Sequence, residues 1–286
     1  MLLTTDGSDR AVAAIRTAAR ILNPEDRDID VLSVVPPHRP PGELAGATRT
    51  KILEEARALI GPNPKAVSLL RETGSPAVVI ANKTGDYDLT VVGSRGAGFR
   101  DEAGLGPVAS RVVEHAARPV LVGRALRSED GFRALVAVDG SSASLHAVET
   151  LSNLFDLTSA EVSLMYVAET PWLNVEGDLA SASEEEIETS EAAVLEKQFI
   201  REGQELIEDA RKLLRRYRPL VNSRIEEGNP ADAILAEAER GQYDLVVLGA
   251  TGNRDVRYRM LGSVSFRIAW DAPCSVLIVR EPGETG

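Results

Sequence analysis

The stretch Gly249-Ala-Thr-Gly252, then nine residues, then Gly262-Ser263-Val264-Ser265 has the residue types of an anion site. It follows Leu245–Leu248, an apolar run that reads as a buried strand. Gly249 and Gly252 let the backbone turn tightly past that strand and let a bulky anion approach. Gly262 and Ser263 stand where the next helix opens. Free N–H groups and the helix dipole favour negative charge there, and a serine hydroxyl adds a donor. The nine intervening residues hold three cations, Arg254, Arg257 and Arg259, against one acid, Asp255. Arg254 lies nearest Gly252 in sequence and is expected to turn towards a phosphate tail. Read alone, the same pattern also describes a turn followed by a helix cap. The Asp139-Gly-Ser141 that ends the apolar run Ala134–Val138 is likewise open to two readings, a ligand-facing acid or a turn aspartate.

Both segments occur twice. MLLTTDGS at 1–8 answers ALVAVDGS at 134–141, and YDLTVVGSRG at 87–96 answers YDLVVLGATG at 243–252. Between them ETGSPAVVIAN at 72–82 answers EEGNPADAILA at 226–236, and RPVLVG at 118–123 later answers CSVLIV at 274–279. The shared order makes the chain a tandem repeat. The offset grows from 133 residues at the first pair to 156 at YDL, so the second copy carries an insertion, placed here in the polar stretch Glu169–Glu191.

Each copy alternates strands with helices. In the second, strands are expected at Ala134–Val138, Val162–Val167, Val221–Ile225, Leu245–Leu248 and Val276–Val279. Helices are expected at Ala143–Phe155, capped by Ser141 or Ser142, and at Glu191–Tyr217, with Leu206, Ala210, Leu213 and Leu214 on one face. Pro230 opens a further helix, where a missing N–H costs nothing. The first copy repeats the series with a shorter second helix, Glu43–Ile60. This alternation predicts an α/β fold with two Rossmann-like domains, each a parallel sheet with helices on both faces. The domains are read as 1–124 and 132–286, joined through Arg124–Phe132. Ligands of such sheets sit at the carboxyl ends of the strands.

The spacing G-x-x-G-x9-G-[S/T] after DLVVLG and before VLIV resembles the ATP-binding signature of universal stress proteins. Gly249, Gly252, Gly262 and Ser263 match its fixed positions, and the resemblance covers nearly the whole chain. It implies strand order 3-2-1-4-5 and pairing of the two domains through their fifth strands, here as an intrachain pseudo-dimer, with a homodimer as a further option. It implies ATP, with ADP and AMP as alternatives, and magnesium alongside. Asp139 would then face the adenine or ribose, with Ala137 and Val138 leading into it, and Val167 would touch the base. Gly252, Gly262, Ser263, Val264 and Ser265 would cradle the phosphates. No catalytic residue is assigned; Asp255 is the only acid or histidine between Gly249 and Ser265, so at most slow hydrolysis is expected.

The first copy departs from this pattern. Gly93, Gly96 and Gly106 keep the spacing, but Pro107 and Ala109 replace the two serines. One N–H and two hydroxyls are lost, and Asp101 and Glu102 beside Arg100 lower the loop's positive potential. Its nucleotide site is read as degenerate.

Composition narrows the remaining classes. A net charge of −12 repels nucleic acid and anionic lipid. A single cysteine, Cys274, rules out an intrachain disulfide and a cysteine zinc site. No apolar run nears the roughly 18 residues of a membrane span, so the protein is expected in the cytoplasm. There is no P-loop. A nucleotide-activating ligase or pyrophosphatase would carry an S-G-G-x-D-S or H-I-G-H motif, and neither occurs. A flavin carrier sits poorly with 4% aromatic residues. An interaction protein that has lost its nucleotide describes the first copy better than the second.

Overall fold

A computed structural model of the chain describes residues 1–22, 27–37, 43–61, 65–96, 104–127, 131–169, 191–214, 220–252 and 261–280. The first half runs β1 (Leu2–Thr4), α1 (Asp9–Ile21), β2 (Asp28–Val35), α2 (Glu43–Ile60), β3 (Ala66–Thr73), α3 (Pro76–Lys83), β4 (Thr90–Gly93), α4 (Pro107–His115) and β5 (Val120–Gly123). The second runs β6 (Phe132–Ala137), α5 (Ser142–Leu154), β7 (Ala160–Ala168), α6 (Glu191–Leu214), β8 (Leu220–Glu227), α7 (Pro230–Arg240), β9 (Leu245–Gly249), α8 (Ser263–Asp271) and β10 (Ser275–Val279). Helix starts follow their residues. Ser141 is the cap of α5, its hydroxyl accepting from the Ser144 N–H at 3.1 Å, and Ser8 caps α1 in the same way. Pro76, Pro107 and Pro230 each sit in a first turn. The insertion expected within Glu169–Glu191 falls on 170–190, outside the described residues, as does the expected end of α6 at Tyr217.

All ten strands form one sheet in the order β3-β2-β1-β4-β5-β10-β9-β6-β7-β8. Neighbours are parallel within each half, and only β5 and β10 pair antiparallel, with Leu121 opposite Leu277. The carboxyl ends of the first five strands therefore reach one edge of the sheet, and those of the last five the opposite edge. Helices α1, α2, α5 and α6 cover one face, with Ala14, Leu53, Leu151 and Ile207 in its core. Helices α3, α4, α7 and α8 cover the other, with Ile80, Val112, Ile234 and Ile268. Equivalent helices share a face, so the halves are related by an approximate twofold axis normal to the sheet.

Two arginines tie the seam reciprocally. Arg124, after β5, donates to the carbonyls of Ala269 and Cys274, each at 2.9 Å. Arg280, after β10, donates to those of Val113 and Glu114 at 3.1 and 2.8 Å. Arg280 thus sits on two last-turn carbonyls of α4, and Arg124 on one of α8 and one just beyond it, where the helix dipole is negative. Burial lowers the Arg124 pKa to about 10. Among the described residues no helix is long and apolar enough to cross a membrane.

Candidate functional site

In the second half a cavity of about 490 Å³ opens at the carboxyl ends of β6 and β9. That is within the roughly 300–1,000 Å³ of small-molecule sites. The end of β6 supplies Ala137, Val138 and Asp139, and β7 supplies Val167. Gly249 ends β9 and Gly252 lies in the turn after it, and Gly262, Ser263, Val264 and Ser265 come from the start of α8. Residues from four separate stretches thus meet at one hollow. Arg254, Arg257, Arg259 and Asp255 lie outside the described residues.

Each wall has a physical cause. The Asp139 carboxylate accepts the Ser141 N–H at 3.0 Å and its hydroxyl at 2.5 Å, so it organises its own turn as well as lining the cavity. Its other oxygen is so close to Gly252 that a Cβ there would stand 2.8 Å away, so a larger residue would have to displace the carboxylate. Gly262 caps α8 without a side-chain bond, its own N–H donating to the Ala250 carbonyl at 2.8 Å. The first N–H of α8 with a partner in the helix is that of Phe266, to the Gly262 carbonyl at 2.9 Å. Those of Ser263, Val264 and Ser265 precede it at the positive end of the dipole. The Ser265 hydroxyl does not share that role, because it donates to the Gly249 carbonyl at 2.8 Å and closes the turn.

The first half carries the counterpart, about 420 Å³ at the ends of β1 and β4. Asp6 stands against Gly96 as Asp139 does against Gly252, with 2.7 Å to a Cβ built on the glycine. Helix α4 opens on Gly106 and Pro107, and Ser110 is its first donor to Gly106, at 2.9 Å. Only Val108 and Ala109 offer N–H groups ahead of it, two where α8 offers three. Asp101, Glu102 and Arg100 lie outside the described residues.

A family model described as the universal stress protein family matches residues 1–124 and again 132–280. The chain belongs to the universal stress protein family. A universal stress protein of Mycolicibacterium smegmatis is 29% identical over 303 residues, covering 98% of this chain and 96% of that one. One of Methanocaldococcus jannaschii is 32% identical over 151 residues, 52% of this chain and 81% of its own. The solved universal stress protein of Archaeoglobus fulgidus superposes with a TM-score of 0.63 at 23% identity, covering 99% and 98% of the two chains. The last likeness is one of fold, and it spans both halves together.

Within this universal stress protein frame, the sequence reading named Val167 but missed the rest of the wall made by the second strand and second helix. Tyr166 and Glu169 of the β7 end and Phe199 and Glu202 of α6 line the second cavity. Burial raises the Tyr166 pKa, and the charges of Glu202, Asp139 and Glu169 push it the same way. Phe199 and Glu202 precede Leu206 by seven and four residues, so they continue the apolar stripe already read on that helix. In the first half the missed residues are Arg49 of α2 and Arg95 of the turn after β4. Trp270 packs on Phe266, ring centres 5.9 Å apart, and against Gly104 of the first half, so it is a packing residue.

Proposed function

We propose that the second half binds an adenine nucleotide, ATP with magnesium, and that the protein serves the stress response through its nucleotide-bound state rather than through rapid turnover. In this reading residues 1–124 and 132–286 are two domains, and only the second keeps a full nucleotide site. The reading rests on one observation, the meeting of Ala137 to Asp139, Val167, Gly249, Gly252 and Gly262 to Ser265 around one 490 Å³ cavity. Glu169 and Glu202 line the cavity from β7 and α6, Asp139 stands beside the Gly252 turn, and the opening of α8 supplies Gly262 to Ser265. A polyanionic tail is favoured at the α8 end, where N–H groups point outward. Hydroxyl donors of a ribose are favoured at the acidic end, where carboxylates only accept. Arg254 is assigned to the phosphates as the cation nearest Gly252. Among the described residues no cluster of histidine, cysteine or acidic groups could hold a metal. Magnesium would accordingly be carried chiefly by the phosphate oxygens. No residue is assigned to catalysis, and the protein is expected to act in the cytoplasm.

The test is calorimetric titration of the full chain with magnesium ATP, together with mass spectrometry of whatever small molecule leaves on denaturation. One tight site per chain is expected, with an adenine nucleotide released. Two equal tight sites would remove the asymmetry between the halves, and no heat would remove the site.

A further inference from the structure

We infer that the cavity of the first half is a site for an amphipathic anion with a single acidic head on an apolar body, and not a second nucleotide site. The carrying observation is a reversal of charge on one wall. Ile52 and Leu206 stand against Gly7 and Gly140, the equivalent turn glycines, which sets the correspondence between α2 and α6. Arg49 then takes the place of Gly203, and Thr48 that of Glu202. Strand register pairs Thr4 with Leu32 and Ala137 with Met165, so Ser33 takes the place of Tyr166 and Pro36 that of Glu169.

In the second half the Tyr166 ring fills this wall by packing on Gly203, where a Cβ would stand 2.5 Å from the ring. In the first half Arg49 fills the same space and donates to the Ser33 hydroxyl at 2.8 Å. The cavity lining therefore changes from three acids, Asp139, Glu169 and Glu202, with no lysine or arginine among the described residues, to two arginines and one acid, Arg49, Arg95 and Asp6. Arg95 is anchored by its Nε donating to the Gly104 carbonyl at 2.9 Å, which holds its charge at the rim. The floor beneath is apolar, made by Leu32, Val34, Ile80 and Val92, all nearly fully buried.

This combination fits one anionic head better than a nucleotide. Loss of Glu169 and Glu202 removes acceptors for sugar hydroxyls, and Pro107 removes an N–H at the helix opening. Two guanidinium groups set against Asp6 suit a carboxylate, sulfonate or monophosphate, and the aliphatic floor suits its hydrocarbon part. The proposal is independent of the nucleotide reading, since it concerns the opposite edge of the sheet.

The probe is 8-anilinonaphthalene-1-sulfonate, a sulfonate on an aromatic body, titrated by fluorescence into the full chain with and without saturating ATP. One site is expected, unaltered by ATP. Decanoate should displace the probe, while decanol, with the same chain and no charge, should compete far less. Arg49→Gln should weaken the probe about tenfold, the loss expected for one charge-assisted contact. Ile80→Trp should abolish binding by filling the floor; should that variant not fold, Arg49→Gln and the decanoate–decanol pair carry the test. Absence of a probe site, stoichiometric displacement by ATP, equal displacement by decanol, or an Arg49→Gln protein that binds as wild type would each overturn the proposal. The titration without ATP stays informative even where nucleotide binding fails.

Discussion

The two halves share a backbone plan and differ in what fills one wall. Tyr166 against Gly203 in the second half is answered by Ser33 against Arg49 in the first, a large residue moved from strand to helix. The exchange brings a cation to the wall, and Pro36 and Thr48 stand where the second half has Glu169 and Glu202. The glycines that shape the turn survive in both halves, each under a carboxylate from the first strand. The comparison teaches that in this repeat the glycine turn is kept while the second strand and second helix change the charge of the cavity wall, which under the two proposals above would set the kind of ligand each half takes.

The largest effect is expected at Gly262. A Cβ built there meets its nearest atom, the Ala250 carbonyl oxygen, at 3.3 Å, and the backbone is at ordinary negative φ, so Gly262→Val can fold with a small local shift. The added methyls would stand at the α8 opening, between a phosphate and the N–H groups of Ser263 to Ser265. Charge-assisted contacts are worth roughly 1.5–3 kcal/mol each, so losing about two lowers ATP affinity at least about 100-fold. Calorimetry reads the loss, and the melting temperature should move by only a few degrees, on the order expected for about 1 kcal/mol. An unchanged affinity in a folded Gly262→Val protein would move the phosphates elsewhere and leave the halves without a functional difference at this turn.

A second variant tests whether the Tyr–Gly and Ser–Arg pairs are alternatives for one space. Gly203→Arg alone drives a side chain into the Tyr166 ring and should cost about 1–3 kcal/mol as overpacking. Combined with Tyr166→Ser it rebuilds the wall of the first half, and the two changes should rescue one another by roughly 1 kcal/mol or more. Urea denaturation of the two single variants and the double variant measures that coupling. Strict additivity would mean that the space is not shared, and the wall comparison would lose its basis.

Much of the fold was legible because the signals were periodic and repeated. Buried strands such as Leu245–Gly249 stand out as short apolar runs, and Pro230 and Ser141 mark helix openings by their backbone chemistry. The glycines and the start of α8 were legible because their spacing ties two loops of a single strand–helix unit together. The walls were harder. Glu202 and Arg49 are ordinary charged residues on amphipathic helices, and only the packing of helix on strand turns them inward. Arg49 becomes a candidate only once Gly203 is known to be its counterpart, and the insertion in the second copy hides that alignment. The orientation of the Ser265 hydroxyl was hidden for a related reason: the residue lines the cavity, while the fold turns its hydroxyl back onto the Gly249 carbonyl.

The smallest effect concerns the amino ends of the fifth strands, where the halves differ again. Arg118 in the first half is half-exposed and lies 4.0 Å from the exposed Asp88. Their counterparts, Cys274 and Asp244, are buried, because the joint between the halves runs over them. The Arg127 and Arg133 N–H groups donate to the two Asp244 oxygens at 2.7 and 3.0 Å, and the Arg124 side chain donates to the Cys274 carbonyl. Burial in this covered position raises the Cys274 thiol from 9.0 to about 12. Below about pH 8 the thiol is largely neutral in both the folded and the unfolded chain, and its contribution hardly varies with pH. Above that the unfolded chain ionises first and binds fewer protons, so stability falls as pH rises towards the folded value. Relative to Cys274→Ala, the wild-type protein should lose about 1.4 kcal/mol between pH 8 and pH 10. Chemical denaturation of both proteins across that range reads the difference, with tyrosine and lysine titrations cancelling between them. The native thiol should also resist an aromatic disulfide reagent at pH 8 and react once the chain is unfolded. A difference that stays flat with pH, or rapid reaction in the native protein, would mean that solvent reaches Cys274 as it reaches Arg118, and that the joint does not seal the second half.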